Sequence, residues 1–131
     1  MSSEIQRHLP TGVPAKGTDG TLHSAASGNT AAPSGIEQDG TFWANGVMWA
    51  HLDVTVATAS SEFMAYAYNK NDATWYVLTS FGVNGVLTVP VGSYRYNLAC
   101  LGAEHIHVRI TGIGASATVT VKASLSQENR R

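Results

Sequence analysis

At 131 residues, with a net charge of −1 and only 13 % charged residues, the chain has room for one domain and lacks the clustered cations that nucleic-acid binding requires. Soluble domains usually carry about 25 % charged residues. Much of this surface is therefore neutral Thr, Ser, Ala and Gly, which a partner can cover without stripping water from many ions.

Residues 1–46 contain Pro10, Pro14 and Pro33 and seven glycines from Gly12 to Gly46. These fix φ, remove backbone donors and raise the entropy cost of ordering. The larger apolar residues, Ile5, Leu9, Val13, Leu22 and Ile36, fall at neither helix nor strand spacing. The reading is a long extended N-terminal arm whose isolated anchors dock into pockets on a neighbour, with a disordered tail as the plain alternative. Asp39-Gly40 signals a turn into Phe42-Trp43, and Asn45-Gly46 signals another before the first long strand.

From Val47 to Thr58, Ala50, Leu52, Val54 and Val56 share one face, and Trp49, His51, Asp53 and Thr55 share the other. Glu62 to Tyr68 and Thr74 to Thr79 flank the polar turn 69–72 and are expected to pair as a hairpin. Val86 to Val89 follows Asn84-Gly85 and stops at Pro90, which suits an edge position. Ser93 to Cys100 alternates Tyr94, Tyr96 and Leu98 with Arg95 and Asn97. In Glu104 to Thr111, Ile106, Val108 and Ile110 face inward, while His105, His107 and Arg109 face outward. Ala117 to Leu125 closes the series. Seven short strands predict an all-β antiparallel β-sandwich over 47–125, jelly-roll-like in its connections, followed by a tail over 126–131. A sandwich that small buries only about 60–65 % of its unfolded surface, so self-association or docking is expected to supply the rest.

Little in the chain points to chemistry. His105-x-His107 puts two imidazoles on one strand face, yet a third metal ligand would have to come from His51 or Glu104, and no spacing supports it. No metal or cofactor site is assigned. There is no G-x-S-x-G, H-E-x-x-H or phosphate-binding loop, and Asp53, Glu62, Asp72 and Glu104 stand singly, so no catalytic residue is assigned either. Cys100 is alone, which excludes an intrachain disulfide, and its apolar neighbours mark it as an inert thiol. The opening residues hold no apolar run of signal-peptide length, and no stretch reaches the ~18 apolar residues of a membrane span. Residence in the cytoplasm is expected, or assembly there into something that later leaves.

The aromatic residues carry more. Trp75 and Tyr76 are adjacent in a strand and cannot both enter one core, so one of them must face solvent or a partner. Trp43, Trp49, Trp75 and Tyr76 are the candidate interface aromatics, for a protein partner or, as a flat row, for stacking against sugars.

The β-block resembles small structural proteins of tailed bacteriophages. The likeness rests on Asn69-Lys70-Asn71-Asp72-Ala73-Thr74-Trp75-Tyr76, Gly92-Ser93-Tyr94-Arg95-Tyr96, His105-Ile106-His107-Val108-Arg109-Ile110 and Gly114-Ala115-Ser116-Ala117-Thr118-Val119-Thr120-Val121. It covers about the C-terminal half of the chain. The resemblance implies a jelly-roll capsid decoration (cement) protein or a tail-associated accessory, with no catalytic residues to carry over. The expected partners are the major capsid protein and a second or third copy of the chain, with neither nucleic acid nor membrane. The expected place is the capsid surface of a virion assembled in the host cytoplasm. A carbohydrate- or receptor-binding module of a tail fibre or spike is the alternative, and a head–tail connector or tail-tube accessory is a third.

Overall fold

The structure, a computed structural model, describes residues 20–125. Nine strands follow one another: β1 Thr21–Ala26, β2 Thr41–Trp43, β3 Trp49–Ala57, β4 Ser61–Asn69, β5 Thr74–Val77, β6 Leu87–Val89, β7 Gly92–Ala99, β8 His105–Ile113 and β9 Thr118–Leu125. They form two sheets, one in the order β1-β9-β3-β7 and the other β2-β8-β4-β5, with β6 beside β5 on the free edge of β4. Every pairing is antiparallel. Successive strands alternate between the sheets except at the β4–β6 run, which is the jelly-roll-like connection expected.

The period-2 pattern explains the layering. Ala50, Leu52, Val54 and Val56 of β3 meet Phe63 and Ala65 of β4, Ile106, Val108 and Ile110 of β8, and Val119 and Val121 of β9 in one buried core. Burying each large aliphatic side chain contributes roughly 1.5–3 kcal/mol, so this double layer supplies most of the drive to fold. The hairpin expected around residues 69–72 forms, with Tyr68 opposite Trp75 and Asn69 opposite Thr74. Asn84-Gly85 is a two-residue reversal with φ of 54° and 83°, the left-handed pair that Asn-Gly adopts with little strain. It delivers the chain to β6, which pairs with β4 alone before Pro90 ends it.

The boundary of the arm is corrected. Of residues 1–46, those before Gly20 lie outside the described residues, and with them Ile5, Leu9 and Val13, as does the tail over 126–131. The remainder is woven into the sandwich, β1 against β9 and β2 against β8. Leu22, expected to anchor in a neighbour, is 6 % exposed and packs in this chain's own core.

The segment between β1 and β2 completes the edge of β8 where β2 stops short. Gly40 O accepts from Val108 N at 2.8 Å, and His23 Nε2 lies 2.9 Å from Val108 O. Thr30 then brackets Ile110, its N donating to Ile110 O at 2.9 Å and its Oγ1 accepting from Ile110 N at 2.8 Å. A ladder of isolated contacts replaces a regular strand, so the backbone groups of Val108 and Ile110 are met without an alternating sequence pattern. Gly40 is required here: φ is +95°, and a Cβ would stand 2.8 Å from Val108 O and 2.9 Å from His23 Nε2.

Candidate functional site

The outer face of the second sheet carries an aromatic row set by strand register. Trp43 of β2 is opposite His105 of β8, Tyr68 of β4 is opposite Trp75 of β5, and the Tyr68 and His105 rings meet edge-on at 6.4 Å. Trp43, His105, Tyr68 and Trp75 thus cross four strands side by side. At the usual spacing of ~4.8 Å between strands, the row is roughly 14 Å long. Tyr68 and Trp75 are tilted by 48° with centroids 4.9 Å apart, so together they make a trough rather than a plane.

Beneath this row lies a second one. Tyr66 and His107 are partners across β4 and β8, and Trp75 also packs edge-on against His107 at 6.1 Å. His107 faces outward from the core, as its strand position requires, but it is 0 % exposed: the segment before β2 and the Trp75 ring cover it. The expectation of a solvent-facing His107 is corrected accordingly. Its Nδ1 is 2.9 Å from Thr41 Oγ1. Burial pushes its pKa down to about 4, helped by the charges of His23 and Arg109 and opposed by the Ala31 backbone. Burial also lowers the pKa of His105, against the pull of Glu104 and Glu37.

Residues 33–36 stand as a wall over the trough. Gln38 holds them in place: its Oε1 accepts from Ser34 N at 2.7 Å and from Ser34 Oγ at 3.1 Å, and its Nε2 donates to Ala32 O at 3.1 Å. Between this wall and Trp75, Tyr68 and His105 is a pocket of about 620 Å³, with Ile36 on its apolar side. A second hollow of about 360 Å³ lies between the β4–β5 turn and Leu101-Gly102. The two share Tyr68, Lys70 and Glu104. Lys70 Nζ is 3.3 Å from Glu104 Oε2, so the ion pair is a bar between the two hollows. Both side chains are exposed, and such pairs contribute about 0–1 kcal/mol, so the bar opens at little cost.

The other candidate residues fall elsewhere. Trp49 is 46 % exposed on the outer face of the first sheet, beside His51, whose Nδ1 is 3.0 Å from Asn97 Oδ1. Asp53 and Arg95 pair there through two hydrogen bonds of 2.6 and 2.9 Å, and the Arg95 bond holds the Asp53 carboxyl below the usual carboxylate range. Among the described residues no group of three or more His, Cys, Asp and Glu side chains could hold a metal. Cys100 is buried, and desolvation pushes its thiol up to about 12.

A different feature lies at one edge. β6 passes to β7 through Pro90 and Val91, so the β5–β6 edge of one sheet and the β7 edge of the other lie on the same side of the sandwich. Tyr76 is opposite Ala67, and Tyr94 opposite Val54, so both side chains point inward. Yet Tyr76 is 51 % and Tyr94 39 % exposed, each on an edge strand of its sheet. Leu78 and Phe81, which follow β5, are buried in the core, so Tyr76 and Tyr94 are two exposed rings on the edges of a filled sandwich. Of the two adjacent residues, Trp75 is therefore the outward one, packed against Tyr68 and His107, and Tyr76 the inward one left half bare. Sequence alternation showed that one of this pair must face outward without saying which, and carried no sign that a core-facing tyrosine would stay half exposed.

No protein-family model matches the chain, and no curated protein matches it. Among solved structures, the fold is similar to that of the SPBc2 prophage-derived protein YomS, with a TM-score of 0.55 over 81 % of this chain and 89 % of that one at 15 % identity. That likeness establishes a shared all-β fold.

Proposed function

We propose that the chain is a structural protein of a phage particle, a decoration (cement) protein that sits on the outside of the head and stabilises it. The observation that carries this reading is the exposure of Tyr76 on the β5 edge, Tyr94 on the β7 edge and Val91 between β6 and β7, large apolar side chains of the kind that mark an interaction site. The low charge of the chain makes such surface inexpensive to dehydrate on docking. The fold shared with a prophage-derived protein supports the phage setting. The partners on this reading are the major capsid protein and further copies of the chain, as a dimer or trimer.

The mechanism is multivalent clamping. Edge strand β7 offers backbone groups for pairing with an extended segment, and Tyr76 and Tyr94 offer exposed rings for it to cover. Each contact is weak, but contacts tied to one oligomer act at high effective concentration. Cosedimentation with purified heads of the phage that encodes the chain tests this. Wild-type protein is expected to pellet saturably with heads. Tyr76→Ser/Tyr94→Ser should pellet at least about tenfold more weakly with its circular dichroism unchanged. Failure of the wild type to pellet with heads refutes head decoration, and pelleting with isolated tails instead makes it a tail accessory.

A further inference from the structure

We propose that the trough walled by residues 33–36, Tyr68, Trp75 and His105 binds a neutral oligosaccharide. Its lining is amphipathic in the way a sugar is. Trp75 and Tyr68 present ring surface to the apolar C–H face of a pyranose, while His105, Ser34, Lys70 and Glu104 can exchange hydrogen bonds with hydroxyls at its rim. The volume, about 620 Å³, lies within the range of small-ligand sites.

Charge selects the ligand class. Lys70 and Glu104 neutralise each other at 3.3 Å, and His105 is held neutral at pH 7 by burial. The lining itself therefore carries no net charge, and the nearby Glu37 carboxylate, which acts on His105, disfavours a phosphate, so a neutral polyol loses least on entry.

Length selects a chain over a single sugar. The second hollow continues past the Lys70–Glu104 bar and shares Tyr68 with the first. Swinging the exposed Lys70 away joins them into one groove. Several rings can then lie along it, the first against Trp75.

This inference goes beyond attachment to a head and does not need it, because one is read with heads and the other with free sugar. The test is a titration of the full chain with maltotriose and with triacetylchitotriose, followed through the indole N–H signals in heteronuclear NMR spectra. The Trp75 signal is expected to shift saturably with at least one of the two sugars, with a Kd on the order of 1 mM. The Trp49 signal, on the opposite sheet, should stay in place. Trp75→Ala should weaken binding by about tenfold or more while Trp49 keeps its position, which reports an intact fold. Glu104→Gln provides a milder variant that keeps the stacking surface and should change affinity only a few-fold. No saturable Trp75 shift with either sugar at tens of millimolar overturns the proposal. So does wild-type affinity in Trp75→Ala, or an equal response to inorganic phosphate.

Discussion

His107 ties the protonation of one side chain to the whole second sheet. Its ring is buried between Tyr66, Trp75 and the Thr41 hydroxyl, and its pKa is pushed down to about 4 from the usual 6.5. Between those two values the unfolded chain binds a proton that the folded chain refuses, so this residue makes stability fall as pH falls from about 6.5 to about 4, and its own contribution levels off below that. The slope approaches about 1.4 kcal/mol per pH unit, to which His105 adds in the same direction. Chemical denaturation at several pH values checks this. His107→Gln is expected to flatten the dependence, and an unchanged slope in that variant would remove His107 as its source. Cys100, by contrast, contributes no charge near neutrality, since burial has pushed its thiol out of that range.

At the scale of elements, legibility followed periodicity. β3 was plain because nine residues alternate without a break, β9 was plain for the same reason, and β8 was plain as far as Ile110, beyond which its pairing with β4 slips. β1 was hidden, because TLHSAA has one large apolar side chain and its pairing with β9 slips twice, between Thr21 and His23 and again before Ala26. No strict alternation can survive those slips. β2 was hidden because three residues are too few to show a period. The same limit applies to the trough. Trp43 and Trp75 stood out as large aromatics, and the hairpin around 69–72 was expected, but its register, which sets Tyr68 opposite Trp75, was not. What joins His105 to them is the β4–β8 pairing, a contact between strands far apart in the chain, which no local pattern encodes. The wall at 33–36 is built by one glutamine accepting from and donating to its neighbours, and its sequence reads as an ordinary loop.

The hidden strand carries weight. β1 buries Leu22 and places His23 on the open edge of β8, worth roughly 2–3 kcal/mol of apolar burial plus about 1 kcal/mol for the hydrogen bond. A chain restarted at Ser27 is expected to lose at least about 3 kcal/mol, a large fraction of a domain's usual 5–15 kcal/mol. Thermal unfolding of the two forms measures it. An unchanged melting temperature would mean that β1 rests on the sandwich without holding it.

For the whole molecule, the two faces and the edges divide the work. The β5 and β7 edges leave Tyr76 and Tyr94 exposed, and on the proposed reading a neighbour covers them. The trough lies on the outer face of the second sheet, at the end where the β4–β5 turn meets the loop before β8. A chain docked by its edge therefore keeps this face free, so holding a shell together and touching a sugar are compatible in one orientation.

On the proposed reading, the most direct measurement is the stoichiometry of the chain in purified phage particles from a host that produces it, by quantitative mass spectrometry against the coat protein. A decoration protein is present in fixed proportion to the coat protein and remains after the tails are removed. Its absence from particles, or its loss together with the tails, would contradict placement on the head.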